Sequence, residues 1–582
     1  MAQGVAPQFS QGALAVLRER YLAHDPARGV SEEPHDMLRR VAEAVAAAAR
    51  SFGDDPGYWR ARFLERLERL EFLPNSPTLM NAGAPGGQLA ACFVLPIEDD
   101  LGSIFSTLAL AARIQQSGGG TGFSFSALRP RGERVRSTGG IASGPVSFME
   151  LFDHTTEVIR AGGRRRGANM GVLRVDHPDI EEFVEAKRTA GRLENFNLSV
   201  GMTDAFFVAL AARAPFELRD PREGRVARRI DAEKLFDTIV GAAWETGDPG
   251  MIFLDEINRH NPTPALGAIA ATNPCGEQPL LPYESCTLGS LNLAAFVGKD
   301  EVDWERLRTA IDDAVIFLDN VIEVNAYPAA EIGAATRRTR KIGLGVMGLA
   351  DLLAELGIPY DSPQALALGE RIAEFLTQQA RARSAQLGEQ RGAFPAFEQS
   401  VWPSRGFKAL RNATVTCIAP TGTLSLLAGV SGGIEPFFAL ATARRLPGGQ
   451  RIVEMVPSVR RMLAGLGPLR EKALAAIREH GSLERMVELP ETVRRRFPIA
   501  LEMPPQAHLR MQAAFQKHVD AGVSKTVNLP PDAPPTAVRE IFLEAHKLGL
   551  KGVTVYRYGS RPGQTLSLVD EQRIPDCREC AV

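Results

Sequence analysis

Asn273-Pro274-Cys275-Gly276-Glu277 sets a thiol on a short turn, with an amide two residues before it and a carboxylate two after. The thiol is a hydrogen donor, the amide a hydrogen-bonding group and the carboxylate a base, a set suited to chemistry on a hydroxylated substrate. Gln278 and Pro279 close the turn, and a second cysteine follows at Cys286. The same residues also describe an ordinary proline-rich surface turn with an incidental cysteine. The rest of the chain decides between the two.

The elements that must position this turn follow from patterning. Leu38, Val41, Ala42, Val45 and Ala46 recur at helical spacing, so residues 1–70 read as a helical N-terminal part. From residue 71 the texture changes to a loop dense in hydroxyl and amide groups, Pro74 to Gly83, and then to the strand-length apolar run Leu89–Leu95, which carries Cys92. Gly118-Gly119-Gly120-Thr121-Gly122 is either a flexible loop or a backbone cradle for phosphate. Residues 137–144 and 162–169, the latter with Arg164, Arg165 and Arg166 between glycines, fit a solvated turn and an anion-reading loop equally.

Beyond the central turn, Asp303 to Val324 reads as an amphipathic helix with Leu307, Ile311, Ala314, Val315 and Leu318 on one face. Ser362-Pro363 opens another that runs to Gly392. Gly343-Leu344-Gly345 suggests a tight packing point. Thr414–Ala419 reads as a β-branched strand that runs into Pro420-Thr421-Gly422-Thr423-Leu424, a turn whose following helix offers free amides to an anion. Residues 443–500 read as a basic, helical, peripheral insertion, and Gly552–Tyr558 as a last strand. Short apolar runs alternating with long helices indicate an α/β architecture. The catalytic region is expected over 71–559, with a mobile tail at 560–582 ending in Cys577-Arg578-Glu579-Cys580.

Composition removes several classes of function. Among 582 residues, 45% are apolar and 23% charged, with a net charge of −2, so there is core to bury and no electrostatic case for nucleic acid. No run of 18 apolar residues and no basic-then-apolar N-terminus is present, which argues against membrane insertion or secretion and for a cytoplasmic protein. Six cysteines are too few for a disulfide scaffold, and nine scattered histidines offer no metal-ligand pair. A nicotinamide-dependent enzyme is disfavoured because no G-x-G-x-x-G turn with a following acidic residue is found.

The assembled segments resemble the catalytic subunit of ribonucleotide reductases, and most closely the adenosylcobalamin-dependent class II branch. Asn273-Pro274-Cys275-Gly276-Glu277, Cys286-Thr287-Leu288-Gly289-Ser290-Leu291-Asn292-Leu293, Ala419-Pro420-Thr421-Gly422-Thr423 and Ser524-Lys525-Thr526 occur in the family's order. The resemblance implies a ten-stranded α/β barrel whose central finger loop carries Cys275. It implies that Cys275 becomes a thiyl radical that takes the ribose 3′-hydrogen, that Glu277 takes the 3′-hydroxyl proton and that Asn273 holds the hydroxyls. Cys92 and Cys286 then supply two electrons and end as a disulfide. Cys417 competes as the partner, but the sequence around Cys286 matches the family's redox position, whereas Cys417 lies in what reads as core.

Substrate contacts carry over to Ser76, the backbone at Ala91 and Gly120, Cys92, the turn Asn273–Glu277, and Pro420, Thr421, Gly422, Thr423 and Leu424. Asp99, Arg129 and Arg166 fall near the family's effector positions. Cys577 and Cys580 match a tail dithiol that reduces the active-site disulfide and is itself renewed by a thioredoxin or glutaredoxin. Ribonucleoside diphosphates as substrates, deoxynucleoside triphosphate or ATP effectors and a homodimer are the further expectations. Val555-Tyr556-Arg557-Tyr558 lacks the adjacent tyrosine pair of class I enzymes, and no class III glycyl-radical context is seen. An N-terminal ATP cone is not evident either, so overall shut-off by dATP is not expected. A class I-like reductase with a separate radical subunit, or a non-catalytic nucleotide-binding relative, are the competing readings.

Overall fold

The structure, a computed structural model, describes residues 7–25, 30–135, 139–160, 167–445 and 451–561. Its N-terminal part is helical for the reason the spacing gives: in Pro34–Ala46 the buried set is Met37, Leu38, Val41, Ala42, Val45 and Ala46. Pro34 in the first turn and a reciprocal Glu33–Asp36 capping box start that helix. In the next helix, Pro56–Glu68, Arg62 and Arg66 each reach an Asp313 carboxylate oxygen at 2.8 Å. These charge-assisted bonds fasten the N-terminal helices to Trp304–Val324. That helix differs from the expected one-faced pattern. Ile316, Phe317 and Ile322 are buried along with the predicted positions, because the N-terminal helices cover its outer side.

Ten strands make one mixed sheet: β1 (Phe72–Pro74), β2 (Cys92–Leu95), β3 (Gly120–Ser124), β4 (Asn169–Arg174), β5 (Phe196–Met202), β6 (Gly250–Phe253), β7 (Ser285–Asn292), β8 (Ile342–Met347), β9 (Thr526–Leu529) and β10 (Gly552–Arg557). Their order is β8-β7-β2-β3-β4-β5-β6-β10-β9, with β1 also paired to β7. Strands β2 to β6 run parallel. β7 is antiparallel to β1 and β2 and parallel to β8, and β10 is antiparallel to β6 and parallel to β9. Helices cover one face of the sheet and residues 269–281 pack on the other, which is why β2 and β6 are apolar without alternation.

The sheet does not close as a continuous barrel. Thr414–Ala419, expected as a strand, crosses between β8 and β9 through single bridges, Leu344 with Thr416 and Ile418 with Val523. Its backbone groups are divided between β8 on one side and residues 520–524 on the other, so no ladder builds up along either edge. The segment expected to be a helical insertion also differs. It opens as a β-hairpin, Ala441–Arg445 with Arg451–Met455, before the helices Pro457–Ala464 and Arg470–His480. Charged residues in short β-arms leave no strand-like alternation to read. No helix among the described residues is long and apolar enough to cross a membrane.

Candidate active site: a cysteine loop inside the sheet

Ala271–Thr272 and Pro279–Leu280 pair antiparallel and carry the loop Asn273–Gln278 into the space the sheet surrounds. The loop closes on itself: Asn273 Oδ1 accepts from the Gln278 N–H at 2.9 Å, and Gly276 N–H donates to the Asn273 carbonyl at 3.1 Å. Asn197 of β5 donates from Nδ2 to the Pro274 carbonyl at 2.9 Å. The loop also lies hard against β3, where a Cβ on Gly122 would stand 1.7 Å from the Thr272 carbonyl oxygen. No side chain fits there. The glycines at 120 and 122 thus belong to a strand that makes room for the loop, and of the two readings of 118–122 the flexible loop fails over Gly120–Ser124.

Within the loop Asn273 and Glu277 are buried and Cys275 is exposed. Asn273 Nδ2 donates to Cys92 Sγ at 3.1 Å, and Cys92 Sγ stands 4.0 Å from Glu277 Oε1. Cys92 and Cys286 are direct register partners across β2 and β7. Partners on antiparallel strands have Cα atoms roughly 5 Å apart, inside the span a disulfide requires. Cys417 lies beyond β8. With β8 between it and β7, it is not a register partner of Cys286.

Burial pushes the thiols of Cys92, Cys286 and Cys417 well above the ordinary thiol range, and for Cys92 the Glu277 carboxylate adds to the rise. The buried pair therefore stands as protonated thiols at neutral pH, holding hydrogens as well as electrons. Behind Cys286, the buried Lys341 ammonium pairs with Glu284 at 2.6 Å, and the Lys341 carbonyl lies 3.5 Å from Cys286 Sγ.

Ser76 opens the helix Ser76–Asn81, and its hydroxyl is 2.7 Å from the Tyr21 hydroxyl. The Ala91 N–H and carbonyl and the Gly120 N–H are spent on sheet bonds, Ala91 to Cys286 at 3.2 Å and Gly120 to Ala91 at 2.8 Å. Pro420 to Leu424 turn into the short helix Gly422–Ala428, with Thr421 in the left-handed region at φ 52°. Thr421 Oγ1 accepts from the Gly433 N–H at 2.8 Å, so the 431–433 turn supports it from behind.

That support includes a burdened carboxylate. Asp351 accepts from the Ser431 N–H at 2.7 Å, and burial pushes its carboxyl up from 3.8 to about 6. The folded value lies above the unfolded one, so the native protein holds an extra proton between about pH 4 and 6. The stability this group contributes is lost as pH rises through that window. Asp351→Asn is expected to stabilise the protein by about 2 kcal/mol at neutral pH, and by progressively less toward pH 4. Denaturant midpoints at both pH values check this; equal shifts at both would refute it.

Asp99 and Arg129 are brought together and satisfy each other: Arg129 Nη2 meets Asp99 Oδ2 at 2.8 Å and the Arg129 N–H meets Asp99 Oδ1 at 3.1 Å. Arg166, Cys577 and Cys580 lie outside the described residues, as do the first residues of the 162–169 loop and Ser137 and Thr138. Among the described residues no cluster of His, Cys, Asp and Glu could hold a metal ion. Asn197 as a loop anchor and Tyr21 as the neighbour of Ser76 were not legible in the sequence, since both act across long separations. The repeated Gly-x-Gly at 120–122 and 343–345 was the one local signal that a backbone passes close by.

An exposed thiol at the tip of a loop held within a ten-stranded α/β sheet, above a cross-strand pair of buried thiols, defines a thiol-based redox enzyme. The family description "Ribonucleotide reductase, barrel domain" matches residues 90–556, and "Ribonucleotide reductase, all-alpha domain" matches residues 7–87. A vitamin B12-dependent ribonucleoside-diphosphate reductase of Mycobacterium tuberculosis (strain CDC 1551 / Oshkosh) is 53% identical over 564 residues, 96% of this chain and 81% of that protein. One of Thermoplasma acidophilum is 50% identical over 518 residues, covering 88% of this chain and 67% of that protein. Among solved structures, an Actinobacillus ureae class Id ribonucleotide reductase alpha subunit superposes with a TM-score of 0.78 at 24% identity, over 95% of this chain and 99% of that one. That last likeness is one of fold alone.

The chain belongs to the ribonucleotide reductase family. It is an oxidoreductase, and the two relatives just named, at 53% and 50% identity, are vitamin B12-dependent members.

Proposed function

We propose that this protein reduces ribonucleoside diphosphates to 2′-deoxyribonucleotides for DNA synthesis, with adenosylcobalamin as the radical source and Cys275 as the residue that carries the radical to the substrate. The observation that carries the reading is the division of the thiols: Cys275 is exposed, while Cys92 and Cys286 are buried opposite one another. That exposure also suits a cobalamin, which needs access to one thiol and to no other. When bound, adenosylcobalamin supplies an oxidising radical at that thiol.

The residues then divide the work. Cys275, as a thiyl, takes the 3′-hydrogen of the ribose, and Glu277 takes the proton of the 3′-hydroxyl. Asn273 keeps the hydroxyls in register with both. The 2′-hydroxyl leaves as water with protons and two electrons drawn from Cys92 and Cys286, which become a disulfide, and Cys275 returns its hydrogen to C3′. One ribonucleotide and one dithiol thus give one deoxyribonucleotide, one water and one disulfide. The turn Pro420–Leu424 and the Ser76 hydroxyl frame the diphosphate and base ends.

Cys577 and Cys580 would re-reduce that disulfide and pass the oxidation to a thioredoxin or glutaredoxin. Arg561, the last described residue, is tied to Asp248 and to the Thr246 carbonyl. Cys577 stands about sixteen residues further on, a reach of up to about 50 Å. Deoxynucleoside triphosphate or ATP effectors would act near Asp99, Arg129 and Arg166. A homodimer is favoured by apolar residues left exposed on two adjacent helices, Leu101 and Phe105 on Leu101–Gln116 and Val158 on Pro145–Arg160. A cytoplasmic setting agrees with the free thiols.

The test is anaerobic turnover of CDP and ADP with a dithiol and matching deoxynucleotide effectors, with and without adenosylcobalamin. Deoxynucleotide is expected only with the cofactor. Equal product without it would remove the cofactor assignment, and no product from diphosphates or triphosphates in either arm would remove the mechanism.

A further inference from the structure

The loop that carries Cys275 and Glu277 is held on a second side, away from β3, by a strap of residues 520–523 between the helix Pro505–Gln516 and β9. Gly522 makes the contact. Its N–H donates to the Glu277 carbonyl at 2.8 Å, and a Cβ on Gly522 would stand 2.6 Å from the Gly276 carbonyl oxygen and 3.1 Å from Glu277 Cα. Backbone therefore rests on backbone with no side chain between. The position of the strap is thus coupled directly to that of Glu277.

What fixes the strap is a buried cation. Lys551, just before β10, donates from Nζ to the Asp520 carbonyl at 2.7 Å and to the Ala521 carbonyl at 2.9 Å. Only 5% of Lys551 is exposed. Its own carbonyl accepts from the Phe253 N–H at 3.0 Å, so the grip is anchored to the sheet between β6 and β10. Gln516 Nε2 adds a bond to the Ala521 carbonyl at 3.0 Å. On the far side, Asp520 accepts from the Val415 N–H at 2.8 Å and pairs with Arg381. Burying an ammonium is costly unless its donors are satisfied, and here two of the three are met by consecutive carbonyls of a single strap.

We propose that Lys551 is a positioning residue for the reaction, acting through the Asp520–Gly522 strap to hold Glu277 and Cys275 at one distance from the substrate ribose. The assignment rests on the reading of Cys275 and Glu277 given above. Burial holds the Lys551 ammonium down to about 8, which agrees with a site sheltered from water.

Three variants test it: Lys551→Met, Lys551→Arg and Gly522→Ala. Each is assayed for kcat and KM per folded protein, for unfolding midpoint, and for amide hydrogen exchange in peptides spanning 270–281. Lys551→Met is expected to lower kcat about 100-fold with KM within about twofold, because misplacement near 1 Å costs about that factor at a reacting centre. Exchange in the loop rises in the same protein. Lys551→Arg, which can still donate to two carbonyls, restores most of kcat, and Gly522→Ala reproduces the loss with Lys551 intact. Wild-type kcat and loop exchange in folded Lys551→Met overturn the proposal. If that variant does not fold, wild-type kcat in Gly522→Ala overturns it instead. Glu277→Gln run alongside separates the two levels. Full activity there sinks the reading of the site, whereas an inactive Glu277→Gln beside a fully active Lys551→Met sinks only the role of Lys551.

Discussion

Cys275→Ser is expected to end deoxynucleotide formation altogether while leaving the protein as stable as the parent. A serine O–H bond is much stronger than a cysteine S–H bond, so the hydroxyl cannot be converted into a usable hydrogen abstractor. Neither nucleophilicity nor acidity of the residue can compensate, because the step is a hydrogen-atom transfer. The thiol is exposed at the loop tip, and surface substitutions away from special backbone sites cost within about 0.5 kcal/mol. Loss of activity with an unchanged unfolding midpoint therefore isolates chemistry from fold. Glu277→Gln is expected to fall less far, by about 10²- to 10⁴-fold, the usual worth of a positioned base. Product formation by Cys275→Ser above a hundredth of the parent rate would show that the radical reaches the substrate by another residue.

Those two residues were legible because they are local. Asn273, Cys275 and Glu277 fall within five positions, and a turn presents them together whatever the remainder of the fold does. The helices were legible for a similar reason: Pro34–Ala46 and Pro363–Arg391 carry their caps and apolar faces in one continuous stretch. The sheet was not. Periodicity reports which way a residue points and says nothing of which strand lies beside it, so the family resemblance implied only that there are ten strands, and their order came from the structure. Thr414–Ala419 shows the limit well. Its β-branched residues mark an extended segment, yet the pairing is divided between two neighbours and no regular strand forms. The glycines at 120 and 122 mislead for the opposite reason. Glycine weakens a strand on propensity, and only the loop pressed against β3 explains why they are there.

Long-range polar contacts were equally hidden. Asn197 and Gly522 bond the cysteine loop and Lys551 bonds the strap behind it, but each is an ordinary residue in its own sequence context. The resemblance puts Asp99 and Arg129 near the family's effector positions, and the structure adds that they bond to one another. An effector that used either charge would have to compete with that pair.

The partner of Cys286 is where geometry decides most sharply. After one turnover without external reductant, in a protein whose tail thiols are removed by Cys577→Ser and Cys580→Ser, digestion and mass spectrometry are expected to find Cys92 joined to Cys286 and Cys417 unjoined. Cys92 is the register partner of Cys286 on the neighbouring strand, whereas β8 separates Cys286 from Cys417. Cys92→Ser and Cys286→Ser should each lower steady-state kcat about 10³-fold or more, and the double variant should be no worse than either, because two residues that act as one unit do not add. Cys417→Ala should retain the parent rate per folded protein and lose only the stability that a small cavity costs, about 1 kcal/mol. With dithiothreitol as reductant Cys577→Ser should turn over like the parent, whereas with a thioredoxin it should stall after the first disulfide. A peptide joining Cys286 to Cys417, or a Cys417→Ala protein as inactive as Cys92→Ser, would place the electron source on the other side of β8 and require a different substrate orientation over Cys275.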